Sequence, residues 1–462
     1  MPEHLLFLTG TLAEPGLRRV LGELQAPAFS WEVRQLGIKV AALMTGEHIL
    51  RRLDDIGPAD RVILPGRCRG DLETLSARYG VPFERGPEEL MDLPEWLGQA
   101  GRPVDLSAYR IRIFAEIVDA PRLTLEELGA RAAAYRADGA DVIDLGCLPG
   151  VPFPHLADAV RYLKDAGFRV SVDSLQDDDL LTGGRAGADY LLSLTEQTLW
   201  IADEVAATPV LIPVDGDLEG LYRAWASLRA KGKDPLLDPV LDPIHFGFTT
   251  SLLRYHAVRQ RCSDARMMMG TGNLTELTEA DTAGINALLL GIASELDIDH
   301  LLTTQVSPHC RSVVRELDLG RRIMYRAARD RMLPKQIDPG LTGLHERKPH
   351  PYDLAAIQAA AAQVKDRNWR IQVSAEGIHV YNRDGLHSAA DPYELYPKLG
   401  VEQDGGHAFY LGLELGRAEI ALNLGKRYTQ DQPLRWGCAL PAPAQDLEHY
   451  AAPASTKRRG KA

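Results

Sequence analysis

No stretch of the 462-residue sequence stays apolar for the roughly 18 residues that a membrane span requires, so no membrane partner is expected. Cysteine is scarce. Cys68, Cys147, Cys262, Cys310 and Cys438 are scattered with no close pair, which offers no disulfide framework or zinc knuckle and points to a reducing cytoplasm. Basic residues are outnumbered, with Lys+Arg 52 against Asp+Glu 64 and a formal net charge of −12. Nucleic acid is therefore not expected as a partner. One local exception is the tail "STKRRGKA", which reads either as a disordered solubilising end or as a binding arm. No basic segment precedes the apolar part of "MPEHLLFLTG", so it reads as a first strand and turn rather than a signal peptide. A complete G-x-G-x-x-G or P-loop is also missing. Glycine turns do follow strands in "LTGTLAEPG" and "LPGRCRGD", where either plain strand–helix turns or an anion site would fit.

What the chain has instead is alternation. Residues 1–105 read as a small Rossmann-like α/β domain, with "HLLFLTG", "GIKVAALM" and "RVILPG" as strands and "PGLRRVLGELQA" and "DLETLSARYG" as helices. Across 106–332 eight candidate strands follow one another: "RIRIFAEIV", "DVIDLG", "FRVSVDS", "DYLLSL", "PVLIPVD", "DPLLDPVLD", "ARMMMG" and "DHLLTTQV". Helical patterns separate them, several ending in glycine as a left-handed cap requires ("ADGAD", "KDAGF", "RAGAD"). Eight repeats over about 220 residues match a closed (β/α)8 TIM barrel, with an open doubly wound sheet as the alternative. Residues 346–442 form an α+β unit with a hairpin pattern, "WRIQVSAEGIHVYNRDG". Its His379, His387 and His407 lack metal-ligand spacing and read as solvated or core histidines. Residues 443–462 are the basic tail.

Lone aspartates recur where these strands end: Asp119, Asp144, Asp173, Asp215 and Asp242. Any one of them could cap the following helix. Strand ends in a barrel, however, point into the mouth where ligands bind, and five aspartates around one ring suggest a site. Carboxylates accept paired N–H donors side by side, and an amide can both donate and accept. Two aspartates with Asn273, in the glycine-rich "MMMGTGNLTE", therefore suit a flat aminopyrimidinone such as a pterin head.

The same residues carry a family resemblance. "GADVIDLG", "VSVDS", "LDPIHFGF" and "MMMGTGN", in this order, resemble the pterin-binding barrel of dihydropteroate synthases and pteridine-dependent methyltransferases. With "LTGTLAE", "KVAALMT" and "VILPG" before them and "AEIALNLGKRYTQDQPLRWG" after, the chain resembles dihydropteroate-synthase-like proteins associated with tetrahydromethanopterin in methanogens and one-carbon-using bacteria. The resemblance implies that Asp173 and Asp242 read a reduced pterin, with Ser193 and Asn273 beside the ring. It implies a catalytic place for Asp144, near the substrate phosphates and Mg2+. The synthases' pyrophosphate ligands have no clear equivalents in "EIVDAP", "CLPGVPFPH" and "LLTTQVSPH", where Arg122, Arg311 and His309 are the nearby replacements. Three functions follow: joining a pterin methylene to an arylamine, transferring or carrying a one-carbon unit on a tetrahydropterin, or binding a pterin without catalysis. A homodimer through the outer barrel helices is also implied.

Overall fold

The computed structural model describes residues 2–24, 27–99 and 104–441, so the tail reading for 443–462 lies outside the described residues. The chain divides into two compact units, one up to Ile111 with Arg321–Asp338, the other Arg112–Gly320 with Pro339 onward.

In the first unit, β1 (Glu3–Thr9), β2 (Phe29–Gln35), β3 (Arg61–Leu64) and β4 (Phe83–Arg85) form a parallel sheet in the order β2-β1-β3-β4. The stretch "GIKVAALM" is not its second strand. Phe29–Gln35 takes that place because Trp31 and Val33 alternate with Ser30, Glu32 and Arg34 at the strand period, whereas Ala41–Leu43 turns as a 3-10 helix. The glycine turns serve close backbone packing: a Cβ on Gly10 would lie 2.8 Å from the Ala41 nitrogen, and one on Gly66 2.5 Å from Pro87. Ion pairs Arg19–Asp330 at 3.1 Å and Arg326–Glu23 at 3.3 Å join the two sequence segments of this unit.

In the second unit, β5 (Arg112–Ile117), β6 (Val142–Gly146), β7 (Val170–Asp173), β8 (Tyr190–Leu194), β9 (Thr208–Leu211), β10 (Leu236–Leu237), β11 (Arg266–Gly270) and β12 (His300–Thr304) close into a parallel barrel. The seam is β12 on β5, in register from His300↔Arg112 to Thr304↔Glu116. This is the (β/α)8 barrel that the alternation predicts. Phe114, Val142, Tyr190, Leu192, Val210, Leu236 and Met268 meet inside it as one buried cluster. Because side chains alternate across a strand, residues two steps further along face the same interior, nearer the C-terminal mouth. On β5, β6, β10 and β11 those residues are Glu116, Asp144, Asp238 and Gly270.

The later segment of this unit holds an antiparallel sheet, β13 (Arg370–Ser374), β14 (Gly377–Asn382) and β15 (Gly385–Ala389), packed through Ile371, Val373 and Val380 against Leu411 and Leu415 of helix Gly405–Leu424. His379 is a core residue there, its two ring nitrogens 2.8 Å from Ser374 Oγ and 2.7 Å from Ser388 Oγ. No helix among the described residues is long and apolar enough to cross a membrane.

Phe114 sits at the barrel's centre, edge-on to Tyr190 and His300 with ring centroids 4.9 Å and 5.7 Å away. Removing it leaves a cavity that a closed ring of strands cannot collapse to fill. We expect Phe114→Ala to cost about 3–5 kcal/mol, read as a lower urea midpoint; an unmoved midpoint would refute this central role.

Candidate functional site

Three carboxylates converge at the inner mouth. One oxygen each from Glu116, Asp144 and Asp173 lies within 4.8 Å of the others. The strand register explains the meeting. Asp144 stands opposite Glu116 on β5 and Ser171 on β7, and Gly146 stands opposite Asp173. Gly146 also makes room, since a Cβ there would lie 2.5 Å from Glu116 Oε1.

Burial and mutual repulsion dominate the electrostatics. Burial, then the charge of Asp173, pushes Glu116 up to about 8. Asp144 is fully buried, and burial followed by the Glu116 charge pushes it to about 8 as well. Ser171 favours the charged form of Asp144, yet its hydroxyl stops short of a proper hydrogen bond, and neither Asp144 oxygen has a partner. Asp173 is raised by burial, then by Asp144 and Asp238. Carboxylates this close cannot all ionise at neutral pH, so the group holds protons or binds positive charge. Cys147, at the end of β6, is pushed by burial and the surrounding carboxylates up to about 12, so it is no thiolate nucleophile.

A second group sits after β10. Asp238 Oδ1 accepts from the Tyr255 hydroxyl at 2.6 Å and the Val240 amide at 2.8 Å; burial nevertheless raises its pKa to about 6. Arg254 donates to Asp242 Oδ2 at 2.8 Å and to the carbonyls of Pro239 and Val240. This loop carries left-handed backbone at Val240 (φ 66°) and His245 (φ 69°), a costly conformation for a β-branched residue. Asn273 Nδ2 donates to the Leu241 carbonyl at 2.7 Å, tying the turn after β11 to the same loop.

The structure thus brings Asp144 and Asp173 together and sets Asp242 and Asn273 on one loop system. Ser193 lies partly buried on β8. Asp119 pairs with Arg131, and Asp215 is exposed in the turn after β9, so neither joins the carboxylate group. Arg122 and Arg311 are exposed, while His309 Nε2 donates to the Thr275 carbonyl at 3.0 Å. Two members escaped the sequence reading. Glu116 is an acid inside the apolar run "RIFAEIV", the same signal that marks Asp144. Asp238 was hidden by the repeat "LDPVLDPI", which places two Asp-Pro pairs four residues apart.

Comparisons with known proteins place limits on the family. Residues 3–88 match the model of DUF6513, a family of unknown function. An uncharacterized protein of Methanocaldococcus jannaschii is 26% identical over 521 residues, covering 92% of this chain and 98% of its own. Among solved structures, the 7,8-dihydropteroate synthase of Vibrio fischeri is 12% identical, covers 49% of this chain and 95% of that one, and gives a TM-score of 0.39. The dihydropteroate synthase of Anaplasma phagocytophilum, solved with bound 6-hydroxymethylpterin-monophosphate, is 17% identical over 47% of this chain and 99% of that one, with a TM-score of 0.37. The barrel is accordingly defined by its own strand order and not by these likenesses.

The raised carboxylates set a pH dependence. A carboxyl whose folded pKa exceeds its unfolded value binds more protons when folded, so its stabilising effect is complete below the unfolded pKa and fades as pH rises through the folded one. For Glu116 and Asp144 that window runs from the ordinary values of 4.5 and 3.8 up to about 8. In chelator, Asp144→Asn should gain in melting temperature over the unaltered chain as pH rises across this window. A constant difference from pH 4 to 8 would contradict the assignment.

Proposed function

We propose that the barrel binds a reduced pterin and acts in reduced-pterin cofactor biosynthesis of the folate or tetrahydromethanopterin type, as a cytoplasmic dihydropteroate-synthase-like transferase joining a pterin methylene to an arylamine. The observation that carries this reading is the set of acceptors at the inner mouth, where Asp173 faces Asp144 and Asp238 and lacks a cationic partner among the described residues. A pterin head offers an amino group and a ring N–H together, which a carboxylate accepts as a pair of strong bonds. Asp173 and Asp238 take these donors from the interior, Asp242 and Asn273 border the ring from their loops, and Ser193 supports it from β8. In the transfer, the arylamine nitrogen forms a bond to the methylene carbon as the C–O bond breaks. The departing pyrophosphate keeps the electron pair, and the amine proton passes to a neighbouring carboxylate or water. Asp144 is the catalytic candidate on this route, and its hard oxygen donors fit Mg2+, which when bound would offset charge on the leaving group. Arg122 and Arg311 are the outer cations, with His309 as a further polar side chain, that could serve the same charge.

One observation favours a second reading, a methyl- or methylene-tetrahydropterin transferase. Carboxyl groups that stay protonated near neutral pH can donate a proton to a pterin nitrogen as its one-carbon unit leaves. Release of pyrophosphate from hydroxymethyl-dihydropterin pyrophosphate and an arylamine separates the two readings.

The sharpest test is Asp173→Asn, which keeps the size and turns one acceptor into a donor facing the ligand's own N–H. Loss of a charge-assisted hydrogen bond costs about 1.5–3 kcal/mol, or roughly ten- to a hundred-fold in affinity. By calorimetric titration, binding of 6-hydroxymethyl-dihydropterin should fall by at least this factor while the melting temperature holds or rises. Unchanged affinity with a marked loss of stability would make Asp173 a structural residue and remove the reading.

A further inference from the structure

Helix Gly405–Leu424 carries two apolar faces, and the described residues cover one. Leu411, Leu415, Ala418 and Ala421 are buried in the core that the helix shares with β13 and β14. Turned the other way, Phe409 is 75% exposed, Leu413 46% and Ile420 41%. With Gly416 these positions follow at intervals of four, three and four residues, the spacing of the seam along which two helices pack. A helix apolar on all sides is ordinarily enclosed. The glycines point the same way. A Cβ on Gly412 or Gly416 would meet nothing within 4 Å, so packing within the chain does not call for glycine there. Mid-helix glycine costs helix stability, and one use that offsets the cost is the close approach of another backbone.

We propose that this face packs on the same face of a second copy of the chain, the two helices running antiparallel about a two-fold axis. The row is complementary to itself in that arrangement. Phe409 of each copy meets Ile420 of the other, and Leu413 of each seats in the gap left by glycine at 416. Large side chains thus oppose small ones at the centre, where the helices come closest. Charge selects the direction. Glu402 stands just before the helix and Arg427 just after it, both exposed and equally far from the middle of the row. Antiparallel helices set each Glu402 beside the other copy's Arg427, whereas parallel ones would bring like charges together. Antiparallel running also opposes the two helix dipoles. The contact uses no residue of the barrel mouth and none of the outer barrel helices.

One helix face is a small interface, so the pair should be weak, with a Kd on the order of 1–100 µM. The test is sedimentation velocity of the full chain across that range, with melting temperatures taken on dilute samples. We expect a monomer that converts to a dimer as concentration rises. Phe409→Glu and Leu413→Glu change exposed side chains; each should weaken the dimer by roughly tenfold or more and leave the dilute melting temperature unchanged. Gly416→Gln fills the gap that receives Leu413. It should melt at or above the parent, since glycine is the poorer helix former, and still weaken the dimer. Glu402→Arg and Arg427→Glu should each weaken it, and the two together should restore it, which parallel helices would not allow. A chain that stays monomeric throughout, its face covered by its own last residues or kept for a different protein, overturns the inference. So does a dimer that Phe409→Glu and Gly416→Gln leave intact, which would form through another surface.

Discussion

Three carboxyl groups held within reach of one another at the end of a closed barrel face a constraint that ordinary surface acids escape. They cannot separate, because each is fixed to a strand that is hydrogen-bonded on both sides, from the seam of β12 on β5 round to β9 on β10. Asp144, fully buried, cannot take up bulk water either. What is left to them is to bind protons, a cation or the N–H groups of a ligand. Each is chemistry in which positive character is brought to a prepared acceptor, so the mouth is a receptor for donors.

The surroundings sharpen that character. The barrel's middle layer, Phe114, Val142, Leu192, Val210, Leu236 and Met268, is apolar and offers the carboxylates nothing. Below it the balance changes: Arg112 donates to the Tyr190 hydroxyl at 3.2 Å, and His300 lies 2.9 Å from Asp299 and also 2.9 Å from Arg266. Cations at the far end are thus engaged locally, with an apolar layer between them and the mouth. On the mouth's other side, Arg254 holds the strained loop after β10 by its carbonyls and by Asp242, so that loop is shaped by a charge on helix Phe248–Arg261. A loop kept in left-handed backbone by specific contacts is pre-formed, which lowers the ordering cost of binding.

Much of this was legible in the sequence because barrels advertise themselves through period. Alternating strands and glycine-capped helices are local, and eight of them favour a closed barrel over an open doubly wound sheet. Asp144 and Asp173 stood out because a charge inside an apolar strand has few reasons to be there. The second strand of the first unit was misplaced for the converse reason. "GIKVAALM" is apolar enough to resemble a strand, while "FSWEVRQ" is half polar and shows its strand nature only through alternation.

The sequence by itself determined the strand–helix alternation of the second unit and the presence of acids at strand ends, since each depends on residues a few positions apart. Tertiary structure alone decided which acids meet. Asp119 and Asp144 look alike in sequence, yet one pairs with Arg131 and the other is sealed among carboxylates. Glu116 joined the group only through the register of β5 on β6, and Asp238 rather than Asp242 continues the interior face of β10. Register and barrel closure are relations between distant strands, and a side chain two residues further along reaches the same point in space only when both are set.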